Sequence, residues 1–359
     1  MVHIEASVSK GWLHKHGGFT FPGRYYNDPV YRWEQDKKIN GFVRNEFSRY
    51  AIYNMEANLV QARYVRDNHV LIGAIQPNMI LATLLGAEFS FFEDKDADVK
   101  GRPLEKIASA AELPLPASIL GHPLVRDLET QILKIRDNRP DLKVIPPFFW
   151  DESGRATIHG IITTSLKLTG DKIMVMMMSD TGLTHAIHQW ITDAYVILIR
   201  HFASLGNLDI TSVHVGECSG TMLSPDLYDE FIVPYISQLG IQLGGIRLHS
   251  CGMSDHLITA MSHVHNLEII DTGSGTSIAG IREVMGKDFA IHIAPPMELL
   301  VQGVAQSEIL NWLDRTVSEN QGGPLQIAYH VEPDYDIRNC LVIHDELEKR
   351  GLITNSRSY

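Results

Sequence analysis

The chain has 359 residues, 44% of them apolar and 21% charged, with a formal net charge of −12. This composition excludes a disordered chain, and the length suits either two domains of about 150 residues or one barrel of about 250 or more. With 31 Lys and Arg against 43 Asp and Glu, and no basic run, nucleic acid and anionic membranes are poor partners. Met1–Glu5 shows no basic segment leading into an apolar stretch, so no signal peptide is expected. The longest apolar runs, Ile173–Met178 and Ala194–Ile199, fall far short of the roughly 20 residues of a membrane span. Three cysteines, Cys218, Cys251 and Cys340, are too few and too scattered for a disulfide framework. The expectation is a cytoplasmic protein whose thiols stay reduced and can bind metal or react.

Residues 1–66 are rich in aromatics and charge, among them Trp12, Phe19, Phe21, Tyr25, Tyr26, Tyr31 and Trp33. From about Lys38 to Arg66 the positions of Phe42, Phe47, Ile52, Met55, Leu59 and Tyr64 follow a roughly helical spacing. This segment reads as an irregular and helical extension, 1–66, that caps the remainder, 67–359. Next come a strand over Val70–Ile75, a helix over Met79–Leu85, a strand over Lys143–Phe149, a helical stretch over Thr157–Leu166, and a long helix from Leu183 to Leu205 closed by Gly206.

Five regular strand–helix units then follow. Ser212–Cys218 precedes the helix Pro225–Leu239, Gly245–His249 precedes Asp255–His263, and Leu267–Asp271 precedes Ile278–Met285. Phe289–Ile293 precedes Ser307–Ser318, and Leu325–Val331 precedes Tyr335–Lys349. Strand, crossover helix and strand in repetition give a parallel sheet covered by helices. No glycine-rich phosphate turn follows the first strand, which argues against a dinucleotide-binding fold. The fold class expected is α/β, a (β/α)8 TIM barrel with an irregular/helical N-terminal extension.

In such barrels chemistry sits where strands end. Leu248-His249-Ser250-Cys251-Gly252 closes a strand, and alternation turns His249 and Cys251 the same way. Imidazole and thiolate are ligands zinc prefers, while the plain alternative is a packed pair. At Val215-Gly216-Glu217-Cys218 alternation puts Glu217 with Val213 and Val215, and Cys218 with His214 and Gly216. Glu217 is a candidate ligand or acid/base rather than a solvated loop carboxylate, and Cys218 reads as a packing residue. His330, in Tyr329-His330-Val331-Glu332 at the end of the last strand, is a candidate third ligand or acid/base. His292 is a candidate catalytic group or a satisfied core histidine, and Asp271 holds a ligand or caps a helix. Cys340 reads as a buried helical thiol, and no phosphate loop, nucleophile elbow or metalloprotease motif is present.

Leu223-Ser224-Pro225-Asp226-Leu227-Tyr228-Asp229-Glu230-Phe231-Ile232-Val233-Pro234-Tyr235, followed by Leu248-His249-Ser250-Cys251-Gly252 and then Leu299-Leu300-Val301-Gln302-Gly303, resembles the uroporphyrinogen decarboxylase superfamily. The resemblance runs from about Asn68 to the C-terminus and includes Leu84-Leu85-Gly86-Ala87-Glu88. It implies a (β/α)8 barrel and one of two activities, decarboxylation or zinc-dependent, corrinoid-linked methyl transfer. True decarboxylases of the family carry an Arg-Gln-Ala-Gly-Arg-Tyr segment and an Asp after the first barrel strand. Here Phe21-Pro22-Gly23-Arg24-Tyr25 keeps only Gly-Arg-Tyr, and Gln76-Pro77 follows the strand. The methyltransferase branch carries a His-x-Cys pair, matched by His249 and Cys251, and a later Cys, where this chain has His330.

The resemblance therefore implies zinc held by His249, Cys251, His330 and Glu217. It also implies a corrinoid (cobalamin) carried by a partner protein, and a small methylated substrate. An aromatic extension suits a methoxylated aromatic, which makes the reaction an O-demethylation. Zinc as a Lewis acid would stabilise charge growing on the atom that leaves the methyl carbon. A homodimer lies within the family's range of assemblies. Two alternatives stand beside this reading: a metal-free decarboxylase using His330 and Glu217 as acid and base, and a non-catalytic barrel that binds a tetrapyrrole or a corrinoid protein.

Overall fold

The computed structural model describes residues 1–54 and 59–353. In chain order its strands are β1 (Val2–Val8), β2 (Ile52–Tyr53), β3 (His69–Leu71), β4 (Glu88–Ser90), β5 (Asp98–Lys100) and β6 (Lys143–Ile145). They continue with β7 (Arg155–His159), β8 (Ser212–Gly216), β9 (Gly245–Ser250), β10 (Leu267–Thr272), β11 (Ala290–Ile293) and β12 (Leu325–Val331). Eight of them form one parallel sheet in the order β2-β1-β12-β11-β10-β9-β8-β7. β3 and β6 pair in parallel beside it, and the chain after β6 meets β7 where Thr157 N–H donates to Phe148 O at 2.7 Å. β4 and β5 form a separate antiparallel hairpin. A helix separates the successive strands from β7 to β12. This is the (β/α)8 TIM-barrel-like fold the alternation implies.

The N-terminal extension is helical, as Lys10–Gly17, Gly23–Asn27 and Pro29–Glu46. Ser9 and Asp28 cap the first and third of these, accepting from Trp12 N–H and Tyr31 N–H, and Pro29 starts the third helix where no N–H is needed. The helical spacing expected out to Arg66 holds only to Glu46. Ile52–Tyr53 is a strand, Leu59–Tyr64 is a separate helix, and Met55 lies outside the described residues. The chain also begins in the sheet, since Val2–Val8 pairs along its whole length with Leu325–Val331.

Two further differences from the sequence reading concern the barrel. Thr157–His159 is the end of β7, not the start of a helix, and the helix Ile161–Thr169 begins only after Gly160. The helix expected over Pro225–Leu239 divides at Ile232 into Pro225–Phe231 and Val233–Leu243, because Pro234 has no N–H to give the carbonyl four residues back. The boundaries of Ile278–Met285 and Leu325–Val331 coincide with the sequence reading.

The inside of the sheet is polar. Glu5 and Ser7 of β1, His214 of β8, Arg247 of β9, Asp271 of β10, His292 of β11 and Gln326 of β12 are all buried. They meet one another: Gln326 Nε2 donates to Glu5 Oε1 at 2.5 Å, and Arg247 Nη2 to Asp271 Oδ2 at 2.6 Å. The apolar alternates, such as Ile4, Ala6, Val213, Val215, Ile246 and Leu248, are buried too. Alternation puts them on the outer face, where they pack beneath the helices. Among the described residues no helix is long and apolar enough to cross a membrane.

Candidate metal centre

β8 and β9 run side by side with Gly216 level with His249, and Glu217 N–H donates to His249 O at 2.8 Å just beyond the ladder. The short helical turn Cys218–Met222 then carries Cys218, while Cys251 directly follows β9. Cys218, His249 and Cys251 therefore converge at the C-terminal ends of adjacent strands. Each offers one ligand atom, and the three atoms lie within 4.8 Å of one another. Gly273 lets this happen on the β10 side, because a Cβ there would overlap the Cys251 carbonyl. Cys251 is exposed and Cys218 and His249 half-buried, so the cluster opens to solvent.

Behind the cluster stands a carboxylate. Asp271 Oδ2 lies 3.2 Å from His249 Nδ1, 2.6 Å from Arg247 Nη2 and 3.5 Å from His214 Nε2. Burial alone would push the Asp271 carboxyl up, but the charges of Arg247 and His249 outweigh it and hold the group well below the usual range. Burial likewise opposes a charged His249, yet the charge of Asp271 and contacts with both sulfurs raise it well above an ordinary histidine. The hydrogen bond between the two thiols, with His249 alongside, pulls Cys218 down to about 4 and pushes Cys251 up to about 12. Two sulfurs, an imidazole and a carboxylate on the far nitrogen of that imidazole are a donor set that fits zinc.

The structure brings His249 and Cys251 together but does not bring Glu217 or His330 to them. Glu217 is fully buried on the opposite face of its strand. Its Oε1 accepts from Thr163 N–H at 3.0 Å and Thr163 Oγ1 at 3.1 Å, and its Oε2 accepts from Ile162 N–H at 3.3 Å. The carboxylate therefore satisfies the N-terminus of the helix Ile161–Thr169, with Gly160 leaving room where a Cβ would overlap it. Burial pushes Glu217 up to about 7 even against those donors.

His330 stands at the β12 end and shares a 2.7 Å hydrogen bond, through Nδ1, with Ser7 Oγ of β1. Burial holds it below an ordinary histidine. His292 lies deeper in the barrel, level with Asp271 and Gln326, and burial keeps it neutral. Cys340 is the buried helical thiol the sequence suggests.

Cys218, read from the sequence as a packing residue, stands with His249 and Cys251 instead. Alternation already set it apart from Glu217 and with His214 and Gly216, and that parity holds. His159, the last residue of β7, was missed as well. It is close enough to Cys218 and His249 to feel their charges, and burial pushes it down to about 4, so it is neutral. Across the mouth Lys10 pairs with Asp96 and lies 5.7 Å and 5.6 Å from the Phe21 and Tyr26 ring centroids. The aromatic extension thus reaches the strand ends. Arg24 of the Gly-Arg-Tyr remnant turns outward, bonded to Asp28 at 3.1 Å.

The fold and this cluster define a parallel barrel protein with a thiol–imidazole metal-type centre at its strand ends. The sequence model described as Uroporphyrinogen decarboxylase (URO-D) matches residues 157–311, a segment that spans β7 to β11 and contains the whole cluster. The matched segment, somewhat under half of the chain, is similar to that family, as the motifs within it imply. A methyltransferase from Methanosarcina mazei superposes with a TM-score of 0.64 at 16% identity, over 98% of this chain and 94% of that one. At that identity the likeness is one of fold. A family 18 chitinase from Crocus vernus gives a TM-score of 0.30 at 10% identity, over 63% of this chain and 68% of that one, and carries no argument. A comparison with curated proteins found no match.

Proposed function

We propose that this protein is a methyltransferase that moves a methyl group between a small methylated substrate and a corrinoid carried by a partner protein. Zinc would be held by Cys218, His249 and Cys251. The observation that carries the reading is the convergence of those three ligand atoms within 4.8 Å at neighbouring strand ends. The family match over 157–311 and the fold shared with the Methanosarcina mazei methyltransferase agree with it. The outward Arg24 and the missing acid after β3 speak against decarboxylation of a porphyrinogen, because no arginine of that remnant faces the barrel.

Zinc bound there would supply a Lewis acid for a departing heteroatom, or hold a thiolate as nucleophile. The chain's own residues do the rest. Asp271 fixes His249 with Nδ1 toward the carboxylate and Nε2 toward the sulfurs. Arg247 keeps Asp271 ionised. The Phe21 and Tyr26 rings pack about Lys10, which pairs with Asp96 just past the end of β1.

The test is elemental analysis of untagged protein beside Cys218→Ala, His249→Ala, Cys251→Ala, Glu217→Gln and His330→Ala, followed by methyl transfer to cob(I)alamin from methoxylated aromatics. One zinc per chain, lost in the first three variants and kept in the last two, is the expected result. A protein that transfers methyl groups after complete metal removal would refute the zinc assignment.

A further inference from the structure

We propose that His159 is the substrate-contacting hydrogen-bond donor of this site, presenting Nε2–H to the oxygen from which the methyl group departs. The substrate class is then a methyl ether whose demethylated product is an anion, such as an aryl methyl ether giving a phenolate. This inference rests on the methyl-transfer reading above.

The argument begins with register. His159 of β7 is level with Gly216 of β8, and Gly216 is level with His249 of β9. Strands lie about 4.8 Å apart, so the two histidines flank a strand whose residue at that level has no side chain. A Cβ added to Gly216 would touch nothing closer than Ile158 O at 3.5 Å, so the space beside it is open. Cys218, two residues on and of the same parity, borders that space from the metal-type cluster. A notch therefore lies between two imidazoles with a sulfur at its rim.

The tautomer follows from the surroundings. His159 Nδ1 is buried and has no hydrogen-bond partner. The ring as a whole is only half-buried, so its exposed part is the edge away from Nδ1, which carries Nε2. A buried N–H without an acceptor is rarer and costlier than an unused lone pair. The proton therefore sits on Nε2, at the notch, and the ring is a neutral donor there. Such a donor binds an anion more strongly than a neutral ether oxygen, because hydrogen bonds to charged groups are about twice as strong. It therefore stabilises the departing oxygen more than the substrate. In the transfer the O–CH3 bond breaks, its electron pair stays on the oxygen facing His159, and the methyl group passes to the cob(I)alamin nucleophile. No proton need leave His159.

The experiment measures binding, so it does not depend on turnover. 4-Nitrophenolate and its methyl ether, 4-nitroanisole, are titrated against wild type, His159→Phe and His159→Gln at equal zinc content. Wild type is expected to prefer the phenolate. His159→Phe should lose about tenfold or more in phenolate affinity and stay within about twofold for the ether. His159→Gln, which keeps an N–H donor, should retain most of the phenolate affinity.

Equal phenolate affinity in His159→Phe and wild type would overturn the proposal. So would no phenolate binding by wild type, or an equal loss for phenolate and ether. Loss of zinc in His159→Phe would make His159 a ligand and overturn it as well. Failure of the methyl-transfer reading itself would show separately, as wild type without zinc or without transfer to cob(I)alamin.

Discussion

Asp271 takes three neighbours on one oxygen, so removing it should have two separable effects. Arg247 and Asp271 are almost wholly enclosed, with side-chain exposures of 3% and 11%. Asp271→Leu leaves the Arg247 cation buried without its counter-ion, a change that costs about 3–5 kcal/mol. It also removes the carboxylate 3.2 Å from His249 Nδ1, and loss of such a partner lowers metal affinity about 10–100-fold. Arg247→Met should destabilise less, because His249 still faces Asp271, and should leave zinc affinity within about threefold. The double variant Arg247→Met/Asp271→Leu replaces the pair by apolar groups, so stability should return to within about 1–2 kcal/mol of wild type. Its zinc affinity should stay as low as that of Asp271→Leu. Urea unfolding of metal-free protein reads the first effect, and zinc competition against a chelating dye reads the second. Recovery of zinc affinity in the double variant would mean that Asp271 serves only to neutralise Arg247, and the positioning argument would fail.

Cys218→Ser should lose zinc as fully as Cys251→Ser by elemental analysis, whereas Glu217→Gln should retain it. A zinc-free Glu217→Gln would return that residue to the ligand set. Glu217 also gives a pH prediction. Its folded value, about 7, lies above the 4.5 of a free glutamate, so its contribution is full below about pH 4.5 and is lost as pH rises through 7. That amounts to about 3 kcal/mol. Glu217→Gln should flatten the fall in stability over that window, and urea midpoints equally steep with pH in both proteins would contradict it. Gly160→Ala should destabilise by about 1–3 kcal/mol, because its Cβ displaces Glu217 from the helix it satisfies. Glu217→Ala in the same chain should relieve much of that penalty. A double-mutant cycle on urea midpoints with no coupling between the two sites would refute the clash.

The strand–helix alternation from Ser212 onward was legible because each helix has an apolar stripe and each strand an apolar alternate. The opening strand was not, for a reason tied to function. Residues 1–66 read as an irregular and helical extension, and Glu5 and Ser7 look like solvent positions, yet both are fully buried in a strand. In this barrel the polar side of each strand points inward. Polarity in the sequence therefore marks the inside rather than the surface. The same inversion explains the site. Glu217 looks catalytic because it is the carboxylate at a strand end, but it lies on the apolar side, where the helix Ile161–Thr169 offers free N–H groups. Cys218 looks like packing because thiols usually are, but it shares the inward side with His214. Sequence parity assigned both residues to the right faces. What it could not supply was which face held the polar interior, because that depends on how the strands are covered rather than on any one of them.

The polar interior also explains how the cluster is held. A layer of Arg247, Asp271, His214 and His292 costs desolvation that apolar side chains would not, and isosteric replacement of such a pair is often neutral or stabilising. Packing alone gives no reason to keep it. Its geometry does. Arg247 and His214 converge on the one Asp271 oxygen that faces His249 Nδ1, and this charge holds the imidazole beside Cys218 and Cys251. The buried charges therefore serve the direction of one ring, and stability is the term given up for it.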